Sequence, residues 1–133
     1  MQVKSDTKER FHVIRLDEAF LSANIAAELT QLCKSFLETE VKNVVLKLPE
    51  TNEIDAEAAE EIATLQQSFY ENNASYVICE LTEAVEQKLD ELELLEMMNV
   101  TKTESEAWDI VQMEEIEREL MDDGDMDFNK QGD

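Results

Sequence analysis

Two acids at alternate positions, Asp55 and Glu57, stand in the run Ile54-Asp55-Ala56-Glu57-Ala58-Ala59, where a short apolar stretch passes into a helical pattern. An aspartate before a helix is a favourable N-cap, because its carboxylate accepts a main-chain N–H of the first turn, here that of Glu57 or Ala58. A glutamate in the first turn complements the positive end of the helix dipole. Helix chemistry alone explains both acids, and a charged binding site is the alternative.

Residues for catalysis are scarce elsewhere. His12 is the only histidine, and on a predicted strand a lone histidine is more often a packed residue than a general base. Cys33 and Cys79 have no CxxC spacing, no second histidine and no neighbouring basic cluster that would activate a thiol, so we expect reduced cysteines in the core. The composition therefore argues against an enzyme.

The residues also give little support for a cofactor or a metal. The two glycines, Gly124 and Gly132, both lie near the C-terminus, so no glycine-rich phosphate loop is present. The aspartates between residues 122 and 127 lack the ligand order and the closing glutamate of a calcium-binding EF-hand loop. We expect no cofactor and no structural metal.

The net charge of −22 is unevenly distributed along the chain. Residues 1–50 carry seven basic and eight acidic residues, whereas residues 51–133 carry four and twenty-five. Such a field repels nucleic acid and anionic lipid and favours a protein partner with a basic patch. With no leader peptide and no long apolar run, the sequence predicts a cytoplasmic protein without membrane insertion.

Hydrophobic periodicity predicts alternating strands and helices. Strands are predicted near residues 11–17, 19–21, 43–48, 76–81 and 99–102, and amphipathic helices near 24–39, 56–71, 83–98 and 104–120. The order indicates an α/β fold, a mixed sheet of about four to five strands covered by about four helices. We divide the chain into a flexible N-terminus (1–8), one domain (9–120) and an acidic flexible tail (121–133).

The element order, the buried strand Asn43-Val44-Val45-Leu46-Lys47-Leu48-Pro49 and the Asp55 helix start together resemble the STAS domain, the fold of anti-sigma factor antagonists. Family members have an apolar residue, Asp, Ser, Ser or Thr, Gly and Leu after the third strand, and a partner kinase phosphorylates the second hydroxyl residue. Asp55 matches that pattern, while Ala56 and Ala58 do not. The resemblance aligns Glu57 with the phosphoacceptor, so a fixed anion stands where relatives are switched.

The resemblance implies a non-catalytic regulatory module whose partner is an anti-sigma factor or an ATPase-type kinase. We expect binding through the start of the second long helix, at Asp55, Ala56, Glu57, Ala58, Glu60 and Glu61. The alternative is a structural STAS subunit of a larger assembly, such as a transporter complex. There Met113, Ile116 and Leu120, which extend the apolar stripe of the last helix, would form a second contact. A homo-oligomer is compatible with either reading.

Overall fold

A five-stranded mixed sheet forms the centre of the molecule. The structure is a computed structural model that describes the backbone of residues 1–131 and the side chains of residues 1–120. The sheet strands are β1 (Val3–Thr7), β2 (His12–Leu16), β4 (Val44–Lys47), β6 (Tyr76–Cys79) and β7 (Val100–Thr101), in the order β1-β2-β4-β6-β7. β1 is antiparallel to β2, and the other pairs are parallel. The predicted fold class is confirmed.

A second, two-stranded parallel sheet pairs β3 (Phe20–Leu21) with β5 (Glu53–Ile54). It lies beyond the carboxyl ends of β2 and β4 and aligns the two chain segments that lead into the first two helices. The helices are α1 (Ala23–Ser35), α2 (Ala56–Glu71), α3 (Glu83–Glu91) and α4 (Glu104–Gln131), with short 3-10 turns at Phe36–Glu38 and Leu95–Met97.

The sheet has a core on each face. The larger core joins Ile14, Leu46 and Ile78 of the sheet to side chains of α1, α2 and α3. The smaller core places Val13, Val45, Val77 and Cys79 against Ala107 and Val111 of α4. Because β4 is covered on both faces, its residues form an almost continuous apolar run. One helix, α4, covers the second face.

Local chemistry accounts for the helix ends. Thr82 accepts a hydrogen bond from the N–H of Val85 at 3.3 Å, which confirms the predicted cap of α3. Thr103 and Glu106 form the predicted capping box before α4, with reciprocal bonds of 3.1 and 3.2 Å. Asn73 follows α2 with φ of 57°, in the left-handed region that asparagine tolerates.

Three predicted boundaries are corrected. Residues 1–8 were expected to be a flexible N-terminus, but Val3–Thr7 form β1. The third helix was expected to reach residue 98, but it ends at Glu91, and Glu93 has a φ of 60° that an α-helix does not allow. The tail was expected from residue 121, whereas the backbone of α4 continues to Gln131. The flexibility assigned to 121–133 stays a prediction, and residues 132 and 133 lie outside the described part of the chain.

Candidate functional site

The start of α2 lies beside the start of α1 at the carboxyl edge of the sheet. The β3–β5 ladder pairs Leu21 with Ile54, and the N–H of Asp55 donates to the carbonyl of Leu21 at 3.2 Å. Each of these two segments then leads into a helix, α1 at Ala23 and α2 at Ala56. Two positive helix-dipole ends are thereby brought close together.

Asp55 caps the neighbouring helix rather than its own. Its side chain makes no cap hydrogen bond to α2, which corrects the expectation that it binds the N–H of Glu57 or Ala58. Instead, Oδ2 of Asp55 accepts the N–H of Ala23, the first residue of α1, at 3.0 Å. No local pattern predicts this contact, because the two residues are 32 positions apart.

The first turns of α2 divide into an exposed and a buried side. Ala56, Glu57 and Glu60 are exposed and Glu61 is half-buried. Ala58 is fully buried in the larger core, so its predicted role as a partner contact is corrected: its side chain faces the sheet. Within the described part of the chain, Glu57 makes no salt bridge. The exposed side is therefore an acidic surface with an unpaired carboxylate at its centre.

Buried hydroxyl groups hold the loop that leads to this surface. Thr51, fully buried, donates through Oγ1 to the carbonyl of Glu18 at 2.7 Å. Thr82 donates to the carbonyl of Thr51 at 2.6 Å. These bonds tie the loops after β2, β4 and β6 together. Sequence reasoning missed them, since a threonine in a polar turn is usually exposed.

The cations of the same edge are already paired. Nε of Arg15 lies 2.7 Å from Oδ1 of Asp17, and that bond raises the pKa of the guanidinium. Lys47, only 16% exposed, lies 3.0 Å from Glu104 and 3.5 Å from Glu80. Burial lowers the pKa of Lys47, but the contacts with the two glutamates outweigh it and raise the pKa overall. Neither cation is free to neutralise Glu57.

The second predicted contact also faces outward. Met113, Ile116 and Leu120 are 59%, 49% and 63% exposed. They lie on the side of α4 opposite Ala107 and Val111, which pack against the sheet. Their spacing of three and four residues places them in one stripe along the helix.

His12 and the two cysteines are structural residues. Nε2 of His12 donates to the carbonyl of Val41 at 2.7 Å, Nδ1 is hydrogen-bonded to the Thr7 hydroxyl at 2.9 Å, and the ring stacks on Phe36 with a centroid separation of 3.9 Å. Burial raises the pKa of each thiol, Cys33 and Cys79, to about 12. Both are free and buried, so they are protonated at neutral pH and poor nucleophiles.

A cluster of hydrogen-bonded polar side chains lies at the amino edge of the sheet, and no pattern in the sequence predicts it. The side chain of Asn43 donates to Glu115 at 2.7 Å and accepts the N–H of Ser75 at 2.7 Å. Ser75 Oγ donates to Glu114 at 2.6 Å, and Arg118 donates to the same Oγ at 3.3 Å. These contacts fasten the second part of α4 to the starts of β4 and β6.

Among the described residues, no group of histidine, cysteine and acidic side chains is arranged to hold a metal ion. No described helix is both long enough and apolar enough to cross a membrane. The arrangement at the start of α2 offers an exposed acidic surface.

Comparison with known proteins identifies the family to which this fold belongs. The family model for the STAS domain matches residues 2–107. Comparison with curated proteins finds no match. Solved structures with the same fold include the anti-sigma factor antagonist SpoIIAA in its unphosphorylated form, at 15% identity and a TM-score of 0.66 over 84% of this chain and 96% of that one.

Two further structures share the fold. A serine-to-glutamate variant of RsbS from Moorella thermoacetica is 15% identical, with a TM-score of 0.69 over 84% of this chain and 96% of that one. The murine anion transporter Slc26a9 is 11% identical, with a TM-score of 0.65, and the match covers 78% of this chain but only 18% of the transporter. With its family match over residues 2–107 and a β-sheet and helix arrangement shared with these structures, the chain belongs to the STAS domain family.

Proposed function

We propose that this chain is a non-catalytic, cytoplasmic regulatory module that binds a protein partner through the exposed start of α2. The binding surface consists of Asp55, Ala56, Glu57, Glu60 and Glu61. The main support for this proposal is that Glu57 is exposed in the first turn of α2 and makes no salt bridge among the described residues. An unpaired carboxylate at a helix start is available to a basic group on a partner.

The position of Glu57 bears on regulation. In the family pattern that the sequence resembles, this position holds a hydroxyl residue that a kinase modifies. A glutamate provides one negative charge and two oxygens, whereas a phosphate provides about −1.5 to −2 and three oxygens. We therefore propose that binding here does not depend on phosphorylation. Its partner would be an anti-sigma factor or an ATPase-type kinase, the kind of protein that an anti-sigma factor antagonist binds.

The test is partner capture with matched charge variants. Tagged wild type, Glu57→Gln and Glu57→Ser are used to capture proteins from native lysate, each at low and at high salt. Glu28→Gln is the control, because Glu28 is an exposed glutamate on α1 that makes no salt bridge in the described residues. The proposal expects a partner that Glu28→Gln retains and that Glu57→Gln loses by about tenfold, since an interfacial charge pair is worth roughly 1.5 kcal/mol or more. Equal capture by both variants would exclude Glu57 from the interface.

A second candidate is a structural subunit of a larger assembly, and the exposed stripe of Met113, Ile116 and Leu120 favours it. Removing the chain after Val111 would test this poorly, because it also removes the contacts of Glu114, Glu115 and Arg118 with the sheet edge. The double variant Met113→Ser with Ile116→Ser leaves those contacts intact. Loss of the partner in this variant, together with retention in Glu57→Gln, supports the assembly; the reverse supports the regulatory module.

A further inference from the structure

β1 is an edge strand, and one of its sides has no hydrogen-bonding partner among the described residues. The N–H of Asp17 donates to the carbonyl of Gln2 at 2.8 Å, and the N–H of Lys8 donates to the carbonyl of Phe11 at 2.8 Å. Because hydrogen-bonded residues alternate along an antiparallel ladder, the even-numbered residues of β1 bond to β2. The odd-numbered residues therefore point their main-chain groups away from the sheet.

Val3, Ser5 and Thr7 supply these outward groups. None of the main-chain hydrogen bonds within the described residues occupies them, since the bonds to β2 are made by the even-numbered residues. An uncovered edge of this kind is a template for another strand. At five residues, β1 is also the longest strand of the sheet together with β2.

The sequence of β1, Val-Lys-Ser-Asp-Thr, is complementary to itself when two copies run antiparallel about Ser5. Val3 then lies opposite Thr7 of the second copy, and Lys4 lies opposite Asp6. The odd-numbered positions form hydrogen-bonded pairs, so Lys4 and Asp6 fall at non-hydrogen-bonded pairs, where side chains approach more closely. Opposite charges at directly facing positions stabilise a strand pair.

The charge around β1 also suits a second copy. Residues 1–22 carry four basic and four acidic residues in a chain whose net charge is −22. Most other surfaces of two copies repel one another, while this edge is neutral. The existing partners of Lys4 and Asp6 do not compete strongly: the Lys4–Asp17 and Asp6–Lys8 pairs are at the surface, with Lys4 80% and Asp6 69% exposed.

We propose that two copies of this chain pair through β1, antiparallel about a twofold axis at Ser5, and join their sheets into one continuous sheet. The expected interface has reciprocal Lys4–Asp6 ion pairs and main-chain bonds at Val3, Ser5 and Thr7. This pairing is independent of the partner surface on α2, so either proposal can fail without the other.

The first test removes one outward N–H. Ser5→Pro deletes the donor at the twofold axis and leaves the bonds to β2 in place, since proline is tolerated on an edge strand where its nitrogen faces solvent. Ser5→Ala is the control, because it removes only the hydroxyl. Sedimentation equilibrium should show wild type and Ser5→Ala reaching twice the monomer mass with rising concentration and Ser5→Pro remaining a monomer. Unchanged far-UV circular dichroism of Ser5→Pro shows that the domain remains folded.

The second test exchanges the charges. Lys4→Asp and Asp6→Lys each place like charges opposite one another and should weaken self-association by about tenfold. The double variant Lys4→Asp with Asp6→Lys restores the pairs and should recover wild-type association, and the two single variants should associate when mixed. Lys34→Asp, an equal charge change on an exposed residue of α1, should leave the association unchanged. A wild type that is monomeric at every concentration, or a dimer indifferent to all these changes in β1, would overturn the proposal.

Discussion

Asp55 binds the start of the helix that precedes its own. Its Oδ2 accepts the N–H of Ala23 at 3.0 Å, and the side chain of Ser22 accepts that of Ile25 at 3.3 Å. The first turn of α1 thus receives one oxygen from its own cap and one from the chain segment that opens α2. Asp55 therefore links the starts of two helices, and this link fixes the position from which Glu57 projects.

Replacing Asp55 should destabilise the domain. Asp55→Ala leaves the N–H of Ala23 without its acceptor and should lower the free energy of unfolding by about 1–2 kcal/mol, the cost typical of a lost cap bond. Asp55→Asn keeps an acceptor oxygen in the same place and should lose less than half of that. Urea unfolding followed by circular dichroism measures both. Equal losses in the two variants would show that the charge, rather than the hydrogen bond, is what matters.

Glu57→Ser should restore a modifiable hydroxyl without harming the fold. Glu57 is exposed and makes no salt bridge among the described residues, so the free energy of unfolding should change by no more than about 0.5 kcal/mol. Incubated with an ATPase-type kinase that acts on a STAS protein and with ATP, the variant should gain the mass of one phosphate, while wild type gains none. A phosphate on wild type at the start of α2 would contradict the proposed independence from phosphorylation.

Stability should fall in alkaline solution. Burial raises the pKa of Cys33 and of Cys79 from the ordinary value of 9.0 to about 12. Since the folded-state pKa is the higher one, the stabilisation is complete below pH 9 and is lost as the pH rises toward 12. Between these values each thiol should add to the slope of the free energy of unfolding against pH, by at most about 1.4 kcal/mol per pH unit. Burial also raises the pKa of Tyr76, which acts in the same direction.

Cysteine variants isolate that contribution. Cys33→Ala and Cys79→Ala lower stability at neutral pH by creating small cavities, so the slope of stability against pH is the informative quantity. Each substitution should make that slope shallower above about pH 9, and the double variant should make it shallower still. A slope that does not change would show that the thiols are not protonated in the folded state under these conditions.

Exchanging one side-chain nitrogen of the polar cluster at the amino edge for an oxygen should lower the stability of the domain. Asn43 is 5% exposed, and its amide both donates to Glu115 and accepts from Ser75. Asn43→Asp keeps the shape but turns the donor into an acceptor that faces the carboxylate of Glu115, so we expect a loss of about 2–4 kcal/mol, partly recovered in mild acid. Thermal unfolding at two pH values measures this. Asn52→Asp, an exposed change of the same kind, should have little effect.

Tyr76→Phe should be neutral or stabilising. The hydroxyl of Tyr76 is buried and has no hydrogen-bond partner among the described residues, while its ring stacks on Phe69 at a centroid separation of 5.3 Å. Phenylalanine keeps the stack and removes the unsatisfied group, which should raise the free energy of unfolding by up to about 1 kcal/mol. A marked loss in chemical denaturation would mean that the hydroxyl is bonded to a buried water molecule.

The buried strands and the helix caps were predictable because their signals are local. The run Val44-Val45-Leu46 is apolar and begins with two β-branched valines, and β4 lies there, between two covered faces. Thr82 and the pair Thr103 and Glu106 are each within four residues of the groups they cap. Such patterns depend on neighbours in sequence, so they can be found without knowing the fold.

The missed features depend on contacts between distant residues. β1 is exposed along most of its length, so it lacks the alternation that marks a half-buried strand. Asp55 finds its acceptor role 32 residues away, and Asn43 reaches Glu115 across 72. The site itself was predicted in part: Glu57 is exposed at a helix start, but Ala58 is buried because it lies on the apolar face of α2, four residues before Ile62.

The two thiols lie on opposite sides of the sheet: Cys33 belongs to α1 and faces the larger core, whereas Cys79, at the end of β6, lies beneath α4. A thiol-reactive dye can attack Cys33 only after α1 has separated from the sheet, and Cys79 only after α4 has done so. The two labelling rates therefore report two separate local opening events. If α4 separates before the rest of the domain opens, Cys79 will be labelled while Cys33 is not. The order in which parts of the domain unfold can then be measured at native cysteines, without an added probe site.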